Sequence, residues 1–480
     1  MFVDRQQDLA YFNNILTRAS PGPAQLLLLY GRRRVGKSAL LRHWVEYSGL
    51  SATYWLADKE SPALQRRQLY AAVAQVPPAE APLMESWQEF WDWLASHLAQ
   101  DYTRRIIILD EVSYACEADP ALLTTLQNAW DEQLRYGNSI LLLCGSHVKM
   151  MESLLEEQSP LYGRLTGDWH LQPLPFHTLR QFFPAWEIDE RIALYNMVGG
   201  VPAYLSWLDS ERSLLENIGQ VILDPGRMFV AEPQLLLYDE LRELSSYVAV
   251  LRAIANDGHT LSEISRQSLI SRTSLMFYLS RLQELQLVER RLPVTLTETQ
   301  QSRSKRGRYY LLDPYFHFYY RFVAPHLQSQ REVQETVSLI ENSLPAYTRA
   351  GFVTLAREWI ARQAQSGRSI SALPFMPESI GAHWSRRVQV DVVAINWRTR
   401  DILLAECDWS LLPVDAPLVR DLVDEKAALI RRELPDEGDG WTFHYAIFTR
   451  TGLTEAAQAE LLPRGGLIIH LSRLERGLGL

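Results

Sequence analysis

The sequence predicts an α/β fold: a doubly wound parallel sheet built around a P-loop, followed by a helical lid, a winged-helix domain and a second, C-terminal α/β layer. Three observations carry this. Short apolar runs of strand length alternate with helical patterns over the first third of the chain. A glycine-bearing loop, GRRRVGKS, sits where the first run gives way to a helix. A second strand and helix alternation begins after about residue 330.

The elements follow in order. Residues 24–30, AQLLLLY, are continuously apolar and end at a glycine, as expected of a strand buried on both faces. A helix follows from about Lys37, with Leu40, Leu41 and Trp44 on one face. Residues 105–109, RIIIL, form a second buried strand ending in acids, and 139–143, SILLL, a third ending in Cys-Gly-Ser. From about 174 the pattern turns helical, and the stretch Ile192 to Leu208 is broken by GGVP.

Between 245 and 293 three apolar stripes mark three helices: Val248, Leu251 and Ile254; Leu261 and Ile264; and Leu275, Tyr278, Leu279, Leu282 and Leu285. Ser271 is placed to cap the third helix. A strand at Leu287 to Leu296, a polar loop at Thr297 to Arg308 and a strand at Tyr309 to Leu312 complete a wing. Beyond 330 the expected elements are a helix at 346–364, strands at 387–395, 402–407 and 442–449, and a helix at 417–433. The expected domains are 1–173, 174–237, 238–325 and 326–480.

A chain of 480 residues with 47% hydrophobic content supports several cores and is not disordered. Its net charge of -9 means that nucleic-acid binding would need a local basic patch. Cys116, Cys144 and Cys407 are scattered, with no CxxC or Cys/His spacing, which fits a reducing compartment and excludes a zinc motif. No apolar run approaches a membrane span, and the first residues lack a signal-peptide layout. A soluble, cytoplasmic protein without a membrane partner is the expectation.

Residues 31–38 match G-x-x-x-x-G-K-S in the strand and helix context the motif demands. Gly31 and Gly36 let the backbone curl so that successive N–H groups face one point, and the helix N-terminus adds positive potential there. With Arg34, Val35 and Ala39 alongside, this loop is expected to cradle ATP or ADP. Lys37 should reach the β- and γ-phosphates, and the Ser38 hydroxyl should complete a magnesium shell. Asp110, ending the buried run IIILDE, should hold Mg2+ through water, and Glu111 should polarise the attacking water. An N-cap role is the alternative for this acidic pair. Ser146 is read either as a γ-phosphate sensor or as a helix cap. Arg164, in LYGRLTG, is read as an arginine finger or an ordinary surface residue.

The series Phe2-Val3-x-Arg5, GRRRVGKS, LDE, CGS, SPLYGR and GGVP resembles the archaeal-type ATPases, of the STAND branch of AAA+-like P-loop proteins, over most of residues 1–325. The resemblance implies that Arg5 lies near the adenine. It also implies that the turn at Gly199, Gly200 and Pro202 packs against the nucleotide, that Arg164 senses or trans-activates, and that nucleotide state switches a multidomain conformation. A homo-oligomer or a protein partner is expected on this basis.

In the winged helix, Arg272, Thr273 and Ser274 would face a DNA major groove, and Arg303, Lys305, Arg306 and Arg308 would meet phosphate. A protein-contact role is the alternative, and Glu263, Glu284 and Glu289 partly cancel the charge. At the C-terminal end, VQVDVVAINWRTRDILLAECD pairs two strands that bring Asp391 close to Glu406 and Asp408. This stretch looks like the PD-(D/E)xK fold that follows the ATPase in the same family, where the second strand usually reads Glu-x-Lys. Asp408 stands at that Lys position and cannot supply positive charge. Lys426 on the next helix is the candidate replacement, or a partner of Asp421 or Asp424. Glu358 is a candidate third carboxylate. The expectation is an ATP-driven switch with a degenerate nuclease-like domain that binds DNA or protein. An active Mg-dependent endonuclease and a scaffold without DNA contact are the alternatives.

Overall fold

A computed structural model describes residues 2–18, 24–100, 103–241, 244–329, 331–365 and 372–479. The chain divides into two compact units, Met1–Leu174 with Val201–Ala203, and Pro175–Gly200 with Tyr204–Leu480.

The first unit is a five-stranded parallel sheet of β1 (Gln25–Tyr30), β2 (Ser51–Leu56), β3 (Arg105–Asp110), β4 (Ser139–Gly145) and β5 (Gly167–His170), ordered β2-β3-β4-β1-β5. Alternate residues of the apolar runs feed two cores, because side chains of a strand point to opposite faces. Leu26, Leu28, Ile107, Leu109, Leu141 and Leu143 pack on one face with Trp87, Phe90 and Trp91. Leu27, Leu29, Ile106, Ile108, Ile140 and Leu142 pack on the other with Leu40, Leu41 and Trp44 of the helix Lys37–Ser48. The two outer strands, β2 and β5, lack such runs. Only Trp55 is buried in β2, so no continuous apolar signal marks it.

The second unit opens with helices that include Ile188–Val198 and Pro202–Trp207, the second of which begins in the first unit. Helices Leu244–Ala255, Leu261–Ser268 and Arg272–Glu284 follow, then the antiparallel pair β6 (Val288–Arg291) and β7 (Arg308–Leu311), the element order expected of a winged helix. Ser271 caps the third helix by accepting the Ser274 N–H. β6 is shorter than the strand expected at Leu287 to Leu296, because Pro293 has no N–H to give a ladder. The polar loop between β6 and β7 contains a short helix, Glu298–Arg303, started by a capping box between Thr297 and Gln300.

The C-terminal part holds a mixed sheet ordered β12-β11-β10-β9-β8: β8 (Ser379–Trp384), β9 (Gln389–Asn396), β10 (Asp401–Asp408), β11 (Thr442–Thr449) and β12 (Leu467–His470). β8, β9 and β10 are antiparallel, and β10, β11 and β12 are parallel. Phe352, Leu355 and Trp359 cover one face from a helix that runs from Val333 to Gln365, longer than its expected 346–364. It passes through Pro345 because Ile340 and Tyr347, buried on either side, hold it against its neighbours. Val419, Leu422 and Ile430 cover the other face. Their helix is interrupted by a π-helical stretch at Asp421–Lys426, which re-aims the side chains that follow. Among the described residues no helix is long and apolar enough to cross a membrane.

Candidate functional site

The loop after β1 is shaped by close approaches that only glycine allows. A Cβ on Gly31 would come within 2.4 Å of the Leu171 carbonyl oxygen. Gly36 has φ 100° and precedes the helix Lys37–Ser48. Lys37 is buried, and its ammonium donates to the carbonyls of Gly31 at 2.9 Å and Arg32 at 3.3 Å, at the centre of its own loop. The loop is fastened from behind by Arg5, which donates to the carbonyls of Val35 and Gln172, each at 2.7 Å, and pairs with Asp8. Pro202 stands near the loop, 3.8 Å from where a Gly36 Cβ would lie. Gly199 and Gly200 are buried in the second unit, with Gly199 at φ 64° beside Pro314.

Because β3 lies two strands from β1 across β4, its carboxyl end faces the same edge as the loop. Ser38 Oγ donates to Asp110 Oδ2 at 2.9 Å, and the Glu111 N–H donates to Asp110 Oδ1 at 3.0 Å. Asp110 is buried, and Ser38 is partly exposed. Glu111 takes a left-handed conformation, φ 50°, and its Oε2 accepts both the Ser146 N–H at 3.0 Å and the Ser146 hydroxyl at 2.7 Å. Glu111 is the N-cap residue of the helix Val112–Ala118 but gives it no side-chain hydrogen bond, and Ser146 gives none to the helix Val148–Ser153. Tyr54, which sequence reasoning did not single out, also donates its hydroxyl to Asp110 Oδ2. Beneath the acids Cys144 is buried, and desolvation pushes its thiol pKa well up, so it is a packed apolar group there.

Ser38 and Asp110 supply a hydroxyl and a carboxylate that share one point. That is a donor set suited to magnesium, which binds through one or two protein oxygens plus substrate phosphates and water. Among the described residues no group of three or more His, Cys, Asp or Glu gathers to hold a metal.

Residues 2–208 match the family described as an ATPase domain predominantly from Archaea. An uncharacterized protein of Methanocaldococcus jannaschii is 30% identical over 443 residues, 90% of this chain and 91% of that protein. The chain belongs to this archaeal ATPase family. Residues 319–416 also match a family of archaeal and bacterial proteins of unknown function. Solved structures with a similar arrangement include a Walker-type ATPase of Pyrococcus abyssi (21% identity, 67% of this chain, 96% of that chain, TM-score 0.46) and the ORC2 protein of Aeropyrum pernix in its ADPNP-ADP complexes (15% identity, 71% and 95%, TM-score 0.44).

Other expected residues of this archaeal ATPase are placed as follows. Arg164 is committed to a two-pronged ion pair with Asp131, with nitrogen to oxygen distances of 2.7 to 3.0 Å, and also donates to the Pro160 carbonyl. A finger role therefore requires that pair to open. Arg272, Thr273 and Ser274 are exposed at the start of their helix, and Arg272 donates to Ser262 Oγ at 2.7 Å. Arg303 and Lys305 are exposed. Arg306 and Arg308 already have partners within the second unit. Arg306 pairs with Glu433 at 3.0 Å and its carbonyl accepts from Trp384 Nε1, while Arg308 lies over the Trp384 ring and donates to Gln389. The segment after β6 is stitched to β8: the Val294 N–H donates to the Ala382 carbonyl, and Thr295 Oγ1 meets the fully buried His383 at 2.7 Å.

In the C-terminal sheet Glu406 follows directly on the paired residues Ala405 and Val392, which brings it against Asp391. Both are buried. Burial, and then the Asp391 charge, raise the Glu406 pKa to about 7. Lys426 turns back from its helix: Nζ lies 2.8 Å from Glu406 Oε1 and 3.2 Å from Asp421. Lys426 therefore meets both the Glu406 carboxylate and Asp421 of its own helix. Asp408 does not join. Its carboxylate accepts from the backbone and hydroxyl of Ser410. Glu358 stays with Arg362 at 3.4 Å, and burial raises its pKa. Two arginines that sequence reasoning missed complete the cluster. Arg349 donates to Asp391 Oδ2 at 2.7 Å and Arg357 to its carbonyl at 2.9 Å. Their signal, basic residues one helical face apart on a helix distant in sequence, does not identify a partner.

Proposed function

We propose that this chain binds ATP with magnesium through Gly31 to Ala39 and hydrolyses it, and that nucleotide state acts as a switch on the second unit. The observation that carries this reading is the meeting of Ser38 with Asp110 at 2.9 Å, beside a glycine-shaped loop centred on Lys37. Arg34, Val35 and Gly36 turn backbone N–H groups toward the phosphates, and the Lys37 ammonium moves from loop carbonyls to phosphate oxygens. Magnesium, when bound, neutralises charge developing on the phosphates. Glu111 takes the role of orienting the attacking water. Its hold on Ser146 keeps that carboxylate aimed and links it to the end of β4, so Ser146 serves as the sensor of the γ-phosphate. Pro202 borders the site, Gly200 belongs to the turn that precedes it, and Arg164, once released from Asp131, is the candidate for transition-state charge. Loss of the γ-phosphate removes differential binding energy between two conformations, which is the physical content of a switch.

The test is nucleotide binding and turnover on one preparation. Lys37→Ala should abolish or severely weaken binding. Glu111→Gln should keep binding and trap ATP; normal turnover in that variant removes Glu111 from its role.

A second reading concerns the C-terminal cluster. Lys426 at 2.8 Å from Glu406, beside Asp391, restores the two carboxylates and one ammonium that a phosphodiester-cleaving site requires, in spite of Asp408. Arg272, Thr273, Ser274, Arg303 and Lys305 then form the DNA contacts. Magnesium-dependent nicking, lost on both Asp391→Ala and Lys426→Ala, supports this reading. Salt-sensitive DNA binding without nicking leaves a degenerate, DNA-binding domain. Absence of both favours a scaffold that contacts protein alone.

A further inference from the structure

Asp110 Oδ2 accepts two hydroxyl groups at once, from Ser38 Oγ at 2.9 Å and from the Tyr54 phenol, while Oδ1 holds the Glu111 N–H. A carboxylate oxygen has two lone-pair directions, so Oδ2 is saturated in this arrangement. Tyr54 reaches it because β2 and β3 run in parallel register, with Leu56 opposite Asp110 and Tyr54 two residues earlier on the same face. The two partners differ in freedom. Asp110 is 2% exposed, whereas the Tyr54 side chain is 40% exposed and can swing outward without repacking a core. Burial and the contact with Asp110 push the phenol pKa up, so it remains a donor at any physiological pH.

We propose that Tyr54 is a positioning residue that holds Asp110 in a cation-refusing state and sets the magnesium concentration at which nucleotide binds. This rests on the ATP-binding reading above. For Oδ2, the oxygen shared with Ser38, to accept a hydrated cation, one of the two hydroxyl groups must leave it. Ser38 is fixed at the first turn of its helix and is itself in the donor set. The phenol is the group free to go. Its departure gives up one hydrogen bond to a charged acceptor, so magnesium binding competes with it.

The experiment is titration of a fluorescent ATP analogue into the full chain at a series of magnesium concentrations and in EDTA, on wild type, Tyr54→Phe and Tyr54→Leu. Both variants should reach half-maximal magnesium-dependent binding at about tenfold lower magnesium, the low end for one hydrogen bond to a charged group, with affinity in EDTA unchanged. Tyr47→Phe, altering a tyrosine 70% exposed on the helix after the loop, should leave the curve in place. An unchanged or higher magnesium requirement in both Tyr54 variants overturns the proposal while leaving ATP binding intact. A wild type that binds no nucleotide at any magnesium concentration overturns the ATPase reading itself, and this proposal with it.

Discussion

Arg5 offers the sharpest test of how the nucleotide loop is supported. Its guanidinium is 8% exposed and donates to two carbonyls, Val35 of the loop and Gln172 after β5, both at 2.7 Å. Burial lowers its pKa, but an arginine so bonded stays charged. Asp4 and Arg5 both sit at positive φ, 58° and 72°, a conformation that costs about 1 kcal/mol or more per non-glycine residue and persists only when the surroundings enforce it. In Arg5→Ala both carbonyls lose a charged donor and the reason for the backbone strain disappears. A hydrogen bond to a charged group contributes roughly 1.5 to 3 kcal/mol, and relief of strain offsets part of two such losses, so the net cost is about 3 kcal/mol. For a unit of this size that lowers the melting temperature by roughly 6 to 12 °C. Calorimetry of the nucleotide-free protein is the assay, with Arg5→Lys as an intermediate because an ammonium cannot fork to both carbonyls. If nucleotide-free Arg5→Ala melts like wild type while ATP binding falls, Arg5 is an adenine contact and the account of a loop clamp is wrong.

Further outcomes follow from the same geometry. Gly31→Ala forces a Cβ to within 2.4 Å of a backbone oxygen, so the loop must shift, and nucleotide binding should drop by about tenfold or more while Gly226→Ala, where the nearest atom to a Cβ is 3.4 Å away, leaves binding unchanged; equal binding in both variants refutes the close-approach argument. His383 is fully buried between Thr295 and Glu433, and burial lowers its pKa from 6.5 to about 4, with Glu433 opposing and Arg306 assisting. Its unfolded form therefore binds a proton that the folded form refuses. The stability tied to neutral His383 is complete above pH 6.5 and is lost as pH falls toward 4, by up to about 3 kcal/mol, so urea midpoints should fall across that window more steeply in wild type than in His383→Gln. Identical pH profiles would remove His383 from that role. Arg164→Ala breaks the pair with Asp131 at a partly exposed site and should cost about 1 kcal/mol or less, whereas a larger loss of turnover confined to an assembled state would mark a role on phosphate.

What the sequence determined by itself was local. A strand buried on both faces must be apolar throughout, so β1, β3 and β4 announced themselves, and a loop that curls amides toward one point must carry glycine at set positions, so Gly31, Gly36, Lys37 and Ser38 were legible with the acids at the end of β3. Outer strands β2, β5 and β8 were not, because an edge strand covered on fewer sides carries no continuous run. Tertiary structure alone decided the pairings between distant residues. Tyr54 reaches Asp110 only through parallel register, and Lys426 reaches Glu406 from the end of a π-helical stretch, while Asp408, equally acidic in sequence, turns to Ser410. Arg306 and Arg308 look like free cations in a polar loop until β8 supplies Trp384 and Glu433 supplies a carboxylate. Periodicity and motif spacing encode which face a residue takes along its own element. Which partner meets that face depends on how separate elements close on one another, and a single sequence carries no local trace of that.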